Sequence, residues 1–148
     1  MRPAHLMETY LIDVVQRGRL DLIESLAQPD MVDEANMAFG GPPGRDGLTA
    51  HVFGFRKNIG ALALSIDRIV DGDQAVMAQW SFSGTHDGPW LGIPASGERI
   101  QGTVFSFFEL KEARISRYRL WLHADLGGDS IVFDSSHPEA YSDASRQS

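Results

Sequence analysis

The residues best suited to acid–base chemistry sit near the end of the chain, in the run Ile115-Ser116-Arg117-Tyr118-Arg119-Leu120-Trp121-Leu122-His123-Ala124-Asp125. An imidazole titrates near neutrality, so His123 is able to take or give a proton without a large shift. A carboxylate in an apolar pocket has its pKa raised, which makes Asp125 a better base. On a strand, alternate side chains share a face. Arg117, Arg119, Trp121, His123 and Asp125 then lie on one face, and Tyr118, Leu120 and Leu122 on the other. The first set is no ordinary core face: it is either solvated or lines a pocket studded with polar groups. His123 and Asp125 are about 7 Å apart at strand rise, close enough to act on two ends of one ligand. The arginines either keep the edge soluble or hold a developing enolate or a substrate carboxylate.

Two further histidines are candidates. His86 ends the apolar face of an alternating stretch and precedes a glycine-rich loop, so it is either a structural residue or a third catalytic group. His51 lies on the apolar stripe of a predicted helix with Phe55 and reads as substrate-binding. Trp80, Phe82, Trp90, Phe105 and Trp121 complete a predicted stacking wall, although aromatics at such positions often serve only as core. The histidines, at 5, 51, 86, 123 and 137, form no helix-spaced metal pair, and no metal site is expected. Nucleophile-elbow, phosphate-loop and dinucleotide signatures are missing, and Gly40-Gly41-Pro42-Pro43-Gly44 lacks the Lys-Ser/Thr of a phosphate loop. No cofactor is expected.

Composition narrows the classes. A length of 148 residues suits one domain, and 43% hydrophobic content supplies a real core. The net charge of -7, with basic residues scattered, argues against nucleic acid. The absence of cysteine excludes disulfides and thiol chemistry. No apolar run is long enough for a membrane span, and the N-terminus lacks signal-peptide features, so a cytoplasmic protein is expected.

These residues need elements to place them. Periodicity predicts helices at 4–17, about 20–27 and about 46–58, the last capped by Asp46. Residues 31–39 are mixed. Strands are predicted at 63–70, 74–86, 99–110 and 113–125, with a tight turn near Lys111-Glu112. Helices first and long antiparallel strands afterwards mean α+β. Residues 1–128 read as the domain, and 129–148 as a C-terminal tail, partly extended or mobile.

The stretch Gly84-Thr85-His86-Asp87-Gly88-Pro89-Trp90-Leu91-Gly92-Ile93-Pro94-Ala95-Ser96-Gly97-Glu98-Arg99-Ile100 resembles the loop motif GTHxGxFxGIPPTGxxV of SnoaL-like polyketide cyclases. Trp90 stands at the aromatic position, and Ala95-Ser96 replaces Pro-Thr. The resemblance implies a nuclear-transport-factor-2-like fold, a cone of about three N-terminal helices on a strongly curved antiparallel sheet enclosing a pocket. It also implies a homodimer or tetramer, a hydrophobic small-molecule substrate, and aldol ring closure without metal or cofactor. The family places an aspartate eight residues after the apolar residue that starts the last strand. Counting from Ile115 reaches His123, so His123 or the neighbouring Asp125 is expected to stand in for it. The Leu120/Leu122 face is expected to form the dimer surface.

Three functions are then open. One is proton transfer next to a carbonyl, leading to cyclisation, isomerisation or dehydration of a polyketide-like molecule. The second is epoxide hydrolysis, in which Asp125 and Arg119 would supply two of three required groups. The third is non-catalytic binding or shape templating.

Overall fold

The computed structural model describes residues 1–139 and the backbone of 140 and 142–143. Helix α1 (Pro3–Glu8) starts on Pro3, whose missing N–H costs nothing at that position. It runs on through Thr9–Gln16 in the wider π winding. The buried residues Leu6, Met7, Tyr10, Leu11, Val14 and Val15 account for the change. They repeat every four residues, a pattern that drifts by about 40° per step around an α-helix and the opposite way on a wider turn. Passing from one winding to the other keeps one stripe on the core.

A short turn leads into α2 (Ile23–Leu26) and strand β1 (Ala27–Asp33). The mixed stretch 31–39 resolves into the end of β1 and helix α3 (Glu34–Ala38). Helix α4 spans Arg45–Asn58. Its cap is Gly44 at φ 68, not Asp46, which falls in the first turn and there complements the helix dipole.

The sheet strands are β2 (Ile59–Asp71), β3 (Ala75–His86), β4 (Arg99–Lys111), β5 (Arg114–Leu126), β6 (Asp129–Asp134) and β7 (Ser142–Asp143). They lie in the order β2-β3-β4-β5-β6-β7, antiparallel throughout. Strand β5 pairs with β4 along one edge and is shared along the other. There β1 runs parallel to Ile115–Tyr118, and β6 runs antiparallel to Trp121–Leu126. The α+β class expected from the sequence is the observed one. Beyond residue 128 the chain continues as β6, whose Ile131 and Phe133 are 0% and 1% exposed and pack into the core. The expectation of a mobile end falls largely on residues outside those described.

One face of the sheet carries Val76, Ala78, Trp80 and Phe82 from β3, Val104 and Phe108 from β4, and Tyr118, Leu120 and Leu122 from β5. These residues join the helices in the one hydrophobic core found among the described residues.

Candidate active site

Cross-strand register decides which residues face inward. Trp80 pairs with Val104, and Val104 with Leu122. Gln79 pairs with Phe105, and Phe105 with Trp121. Cross-strand partners share a face, so Trp121 cannot line the wall that carries Trp80. The inward face of β5 is Tyr118, Leu120, Leu122. The face predicted to carry the chemistry is the outer one.

His123 and Asp125 are therefore corrected in position. Both are exposed and border a polar groove of about 470 Å³ on the outer face, with Arg99, Gln101 and Thr103. His123 Nε2 is hydrogen-bonded to Ser130 Oγ at 2.7 Å. Trp121 and Phe105 share that outer face, and Phe105 is 38% exposed. Arg119 and Arg117 turn to Glu34 and line an outer groove of about 510 Å³ with it, away from the aromatic cavity. Leu120 and Leu122 are buried and so are not the surface expected to pair in a dimer. Replacing His123 with alanine, or Asp125 with asparagine, is expected to change stability by less than about 0.5 kcal/mol in urea unfolding.

The interior cavity holds about 50 Å³. Its aromatic wall includes Phe55, Trp80, Phe82 and Trp90. Phe55 meets Phe82 edge to face at 5.1 Å, and Trp90 meets Phe82 at 5.8 Å. Trp90 and Leu91 come from the motif loop, where the Trp90–Ile93 backbone pair closes a tight turn through Leu91 (φ 50) and Gly92 (φ 77). On the far side of Trp90 and Leu91 an outer groove of about 220 Å³ shares Ala35, His51, Phe55, Trp90 and Leu91 with the cavity. The shared lining comes from this strap, the flank of α4 and Ala35 of α3. Ligand pockets are usually about 300–1,000 Å³, so the cavity is smaller than an ordinary ligand site.

His86 is fully buried and does not line the cavity. Its N–H donates to Glu98 O, its carbonyl accepts from Gly97 N, and its Nδ1 pairs with Ser96 Oγ at 2.9 Å. It staples the two ends of the motif loop, and Ser96 supplies its hydroxyl where the family pattern has threonine. Gly84 in the same motif is required by close approach, since a Cβ would lie 2.6 Å from Gly60 O.

The ionisable pair beside the cavity is His51 and Asp33. His51 lines the wall and stacks on Tyr118, with ring centroids 5.8 Å apart. Its Nδ1 lies 2.7 Å from Asp33 Oδ2. Asp33 is 2% exposed, and its other oxygen accepts from Asn36 N, capping α3. With Nδ1 donating to Asp33, Nε2 is the nitrogen left for a ligand. Burial pulls the His51 pKa down, but the Asp33 charge and hydrogen bond outweigh it and hold the imidazole above its usual value. The folded state binds a proton more tightly than the unfolded one, so the contribution is full below about pH 6.5 and is lost as pH rises through the folded pKa. Urea midpoints measured across this window are expected to fall with pH, and Asp33→Asn to flatten the trend.

Behind His51 runs a hydroxyl network. Trp80 Nε1 donates to Ser106 Oγ at 2.9 Å, and Ser106 Oγ shares a hydrogen bond of 2.7 Å with Tyr118 OH. The Tyr10 ring meets the Tyr118 ring edge to face at 5.9 Å. Burial pushes the Tyr10 and Tyr118 pKa values up, so both are neutral donors. Ser106 and Tyr118 hold two hydroxyl hydrogens for the one bond between them. Either hydroxyl is able to donate in that bond, and Tyr118 is the member that lines the cavity.

The family model for SnoaL-like polyketide cyclases matches residues 5–126. The chain belongs to this family. Solved structures agree on the nuclear-transport-factor-2-like fold. TsrD from Streptomyces laurentii is similar with a TM-score of 0.66 at 24% identity, covering 82% of this chain and 86% of that one. A SnoaL-like polyketide cyclase from Agrobacterium tumefaciens gives 0.64 at 20%, covering 81% and 91%. An LEH-like epoxide hydrolase from M. tuberculosis gives 0.58 at 20%, covering 80% of each chain. None of the curated proteins matches the sequence.

Asp33, Tyr118, Tyr10 and Ser106 escaped the sequence reading. Tyr118 had a usable signal: it alternates with Leu120, Leu122, Ala124 and Leu126, the apolar set that belongs inside. Asp33 had only its spacing to Asn36 as a helix cap.

Proposed function

We propose that this SnoaL-like protein is a cofactor-independent enzyme that removes a proton next to a carbonyl of an apolar, ring-bearing small molecule. His51 is the base and Asp33 its orienting partner. The observation that carries this reading is the Asp33–His51 pair set against a cavity otherwise walled by aromatic and aliphatic side chains. His51 Nε2 takes the C–H proton, and the electron pair moves to the carbonyl oxygen. The Tyr118 hydroxyl, at the cavity wall, donates to that oxygen. The enolate then attacks a second carbonyl in the same molecule, or regains the proton elsewhere. Aldol closure, isomerisation and dehydration share the first step.

Epoxide opening of the type expected from the sequence is less well served. That reaction needs an arginine and a second carboxylic acid, and neither lines the cavity among the described residues. Arg117 and Arg119 are engaged by Glu34.

The test uses α-tetralone, a two-ring ketone with an acidic C–H beside its carbonyl, in deuterated water. NMR is expected to record deuterium entering that position faster with the protein than with buffer. His123→Ala and Asp125→Asn keep that rate within about twofold of the wild type, as exposed outer-face positions should. Exchange no faster than in buffer across a panel of such ketones, with labelled oxygen from water appearing in a diol from an epoxide, would reverse the assignment.

A further inference from the structure

Glu34 is a carboxylate only 8% exposed, and it lies outside the cavity. It accepts from Arg117 Nε at 2.7 Å, Arg119 Nε at 3.1 Å, Ser135 Oγ at 3.0 Å and Ser136 Oγ at 3.0 Å. A surface ion pair does not need four donors. Burial pushes this carboxyl up, and the bonds from Arg117, Ser135 and Ser136 more than reverse it, holding it below the usual range.

Its place in the chain gives the cluster a role. Glu34 follows Asp33 directly, and Arg117 precedes Tyr118 directly. Arg117 and Tyr118, neighbours on β5, point to opposite faces, and Glu34 opens α3 where β1 ends at Asp33. The β1–β5 register pairs Val32 with Arg117 and Asp33 with Tyr118. On the inner side this brings Asp33, Tyr118 and the stacked His51 together. On the outer side it brings Glu34 against Arg117 and Arg119. The pairing is short, and it is irregular between Ala27 and Val32, so the backbone ladder alone pins the end of β1 weakly. Ser135 adds the third tie. Its hydroxyl accepts from Leu120 N, and its own N–H donates to Leu120 O, where β1 has ended and β6 has not yet begun to pair.

We infer that Glu34 is a positioning residue for the proton-transfer pair: its clamp to Arg117, Arg119, Ser135 and Ser136 holds the end of β1 in register, so that Asp33 meets His51. This rests on the reading of Asp33 and His51 as the acid–base pair. The ionisable groups facing that pair are Tyr10 from the N-terminal helix and Tyr118 from β5. Glu34, Arg117 and Arg119 lie behind it, with Glu109 of β4 at 4.0 Å from Arg119.

The test is a cycle of four proteins: wild type, Glu34→Gln, Asp33→Asn and the double variant. The His51 ring is titrated by NMR in each, with no substrate needed. Glu34→Gln is expected to lower the His51 pKa by about half a pH unit or more in the wild-type background. In the Asp33→Asn background the same change is expected to leave it within about a fifth of a unit, because the effect travels through Asp33. Exchange of α-tetralone is expected to slow about tenfold in Glu34→Gln, with KM little changed, as a misplaced catalytic group requires. An equal shift in both backgrounds would mean that the charge acts on His51 through space, and no shift in either would mean that Glu34 only stabilises the fold. Both overturn the proposal. If Glu34→Gln does not fold, Ser135→Ala replaces it in the cycle; it removes one donor and no charge. A smaller downward shift confined to the Asp33 background supports the clamp, and no shift overturns it. The two readings fail separately. If the cycle behaves as stated but His51→Ala exchanges the ketone at the wild-type rate, the clamp stands and the proton-transfer reading falls. If exchange depends on His51 and the cycle shows no coupling, the reverse holds.

Discussion

Replacing His51 with alanine is expected to lower ketone exchange about 10²–10⁴-fold, the range a positioned general base contributes. The fold should survive, because His51 has its side chain 25% exposed at the cavity wall and makes one side-chain hydrogen bond. Asp33→Asn is expected to lose less, since the imidazole remains, but in the wrong tautomer or orientation for part of the time. The pH profile separates the two. With His51 as base, kcat/KM rises with pH and levels off above the imidazole pKa, which Asp33 holds above its ordinary value. Asp33→Asn removes that support, so the rising limb moves to lower pH while the plateau falls. Stopped assays from about pH 5.5 to pH 9 measure both effects. A profile unchanged in Asp33→Asn would remove Asp33 from the mechanism, and full activity in His51→Ala would remove the base.

The second large effect is on stability. Phe108 is 0% exposed at the centre of the sheet's inner face. It meets Tyr10 edge to face at 5.1 Å and Tyr118 at 4.9 Å, tying the N-terminal helix to β5. Phe108→Ala removes the ring and leaves a cavity that the flanking strands are poorly able to close. The expected cost is about 3–5 kcal/mol, with the two aromatic pairs adding to the area term. Domains of this size are held by only about 5–15 kcal/mol, so much of the margin goes. Urea unfolding measures the loss directly. Phe108→Leu, which keeps most of the volume, is expected to cost less than half as much. Equal costs for the two would mean that the site collapses around the smaller side chain. Because Tyr118 leans on Phe108, the alanine variant is also expected to slow exchange more than its folded fraction explains.

Much of the fold was legible from periodicity. The strand at 74–86 alternates cleanly, and its even positions are the inner face, so Trp80 and Phe82 were placed correctly from the sequence. The stripe on α4 likewise put His51 and Phe55 on the core side. The family motif was legible as well, because its glycines are demanded by local geometry. Gly84 has a backbone oxygen where a Cβ would stand, and Gly92 has φ 77. The turn at Gly92 is written in local sequence, whereas the crowding at Gly84 comes from Gly60 on the neighbouring strand β2.

The face of β5 was not legible in the same way. Alternation divides a strand into two sets of residues but does not say which set is inside. Weighing the sets by chemical interest selected Arg119, Trp121, His123 and Asp125. Register selected Tyr118, Leu120 and Leu122, since Leu122 lies opposite Val104 and Val104 opposite Trp80. The same limit hid Asp33, whose partner is 18 residues away on another helix. It hid the Glu34 clamp too, whose donors lie 83 to 102 residues further on. The sequence alone determined an α+β chain of the SnoaL-like family with an aromatic pocket wall and an inward histidine. Tertiary structure alone decided which carboxylate meets that histidine, because strand pairing and helix packing bring together groups that no spacing along the chain connects.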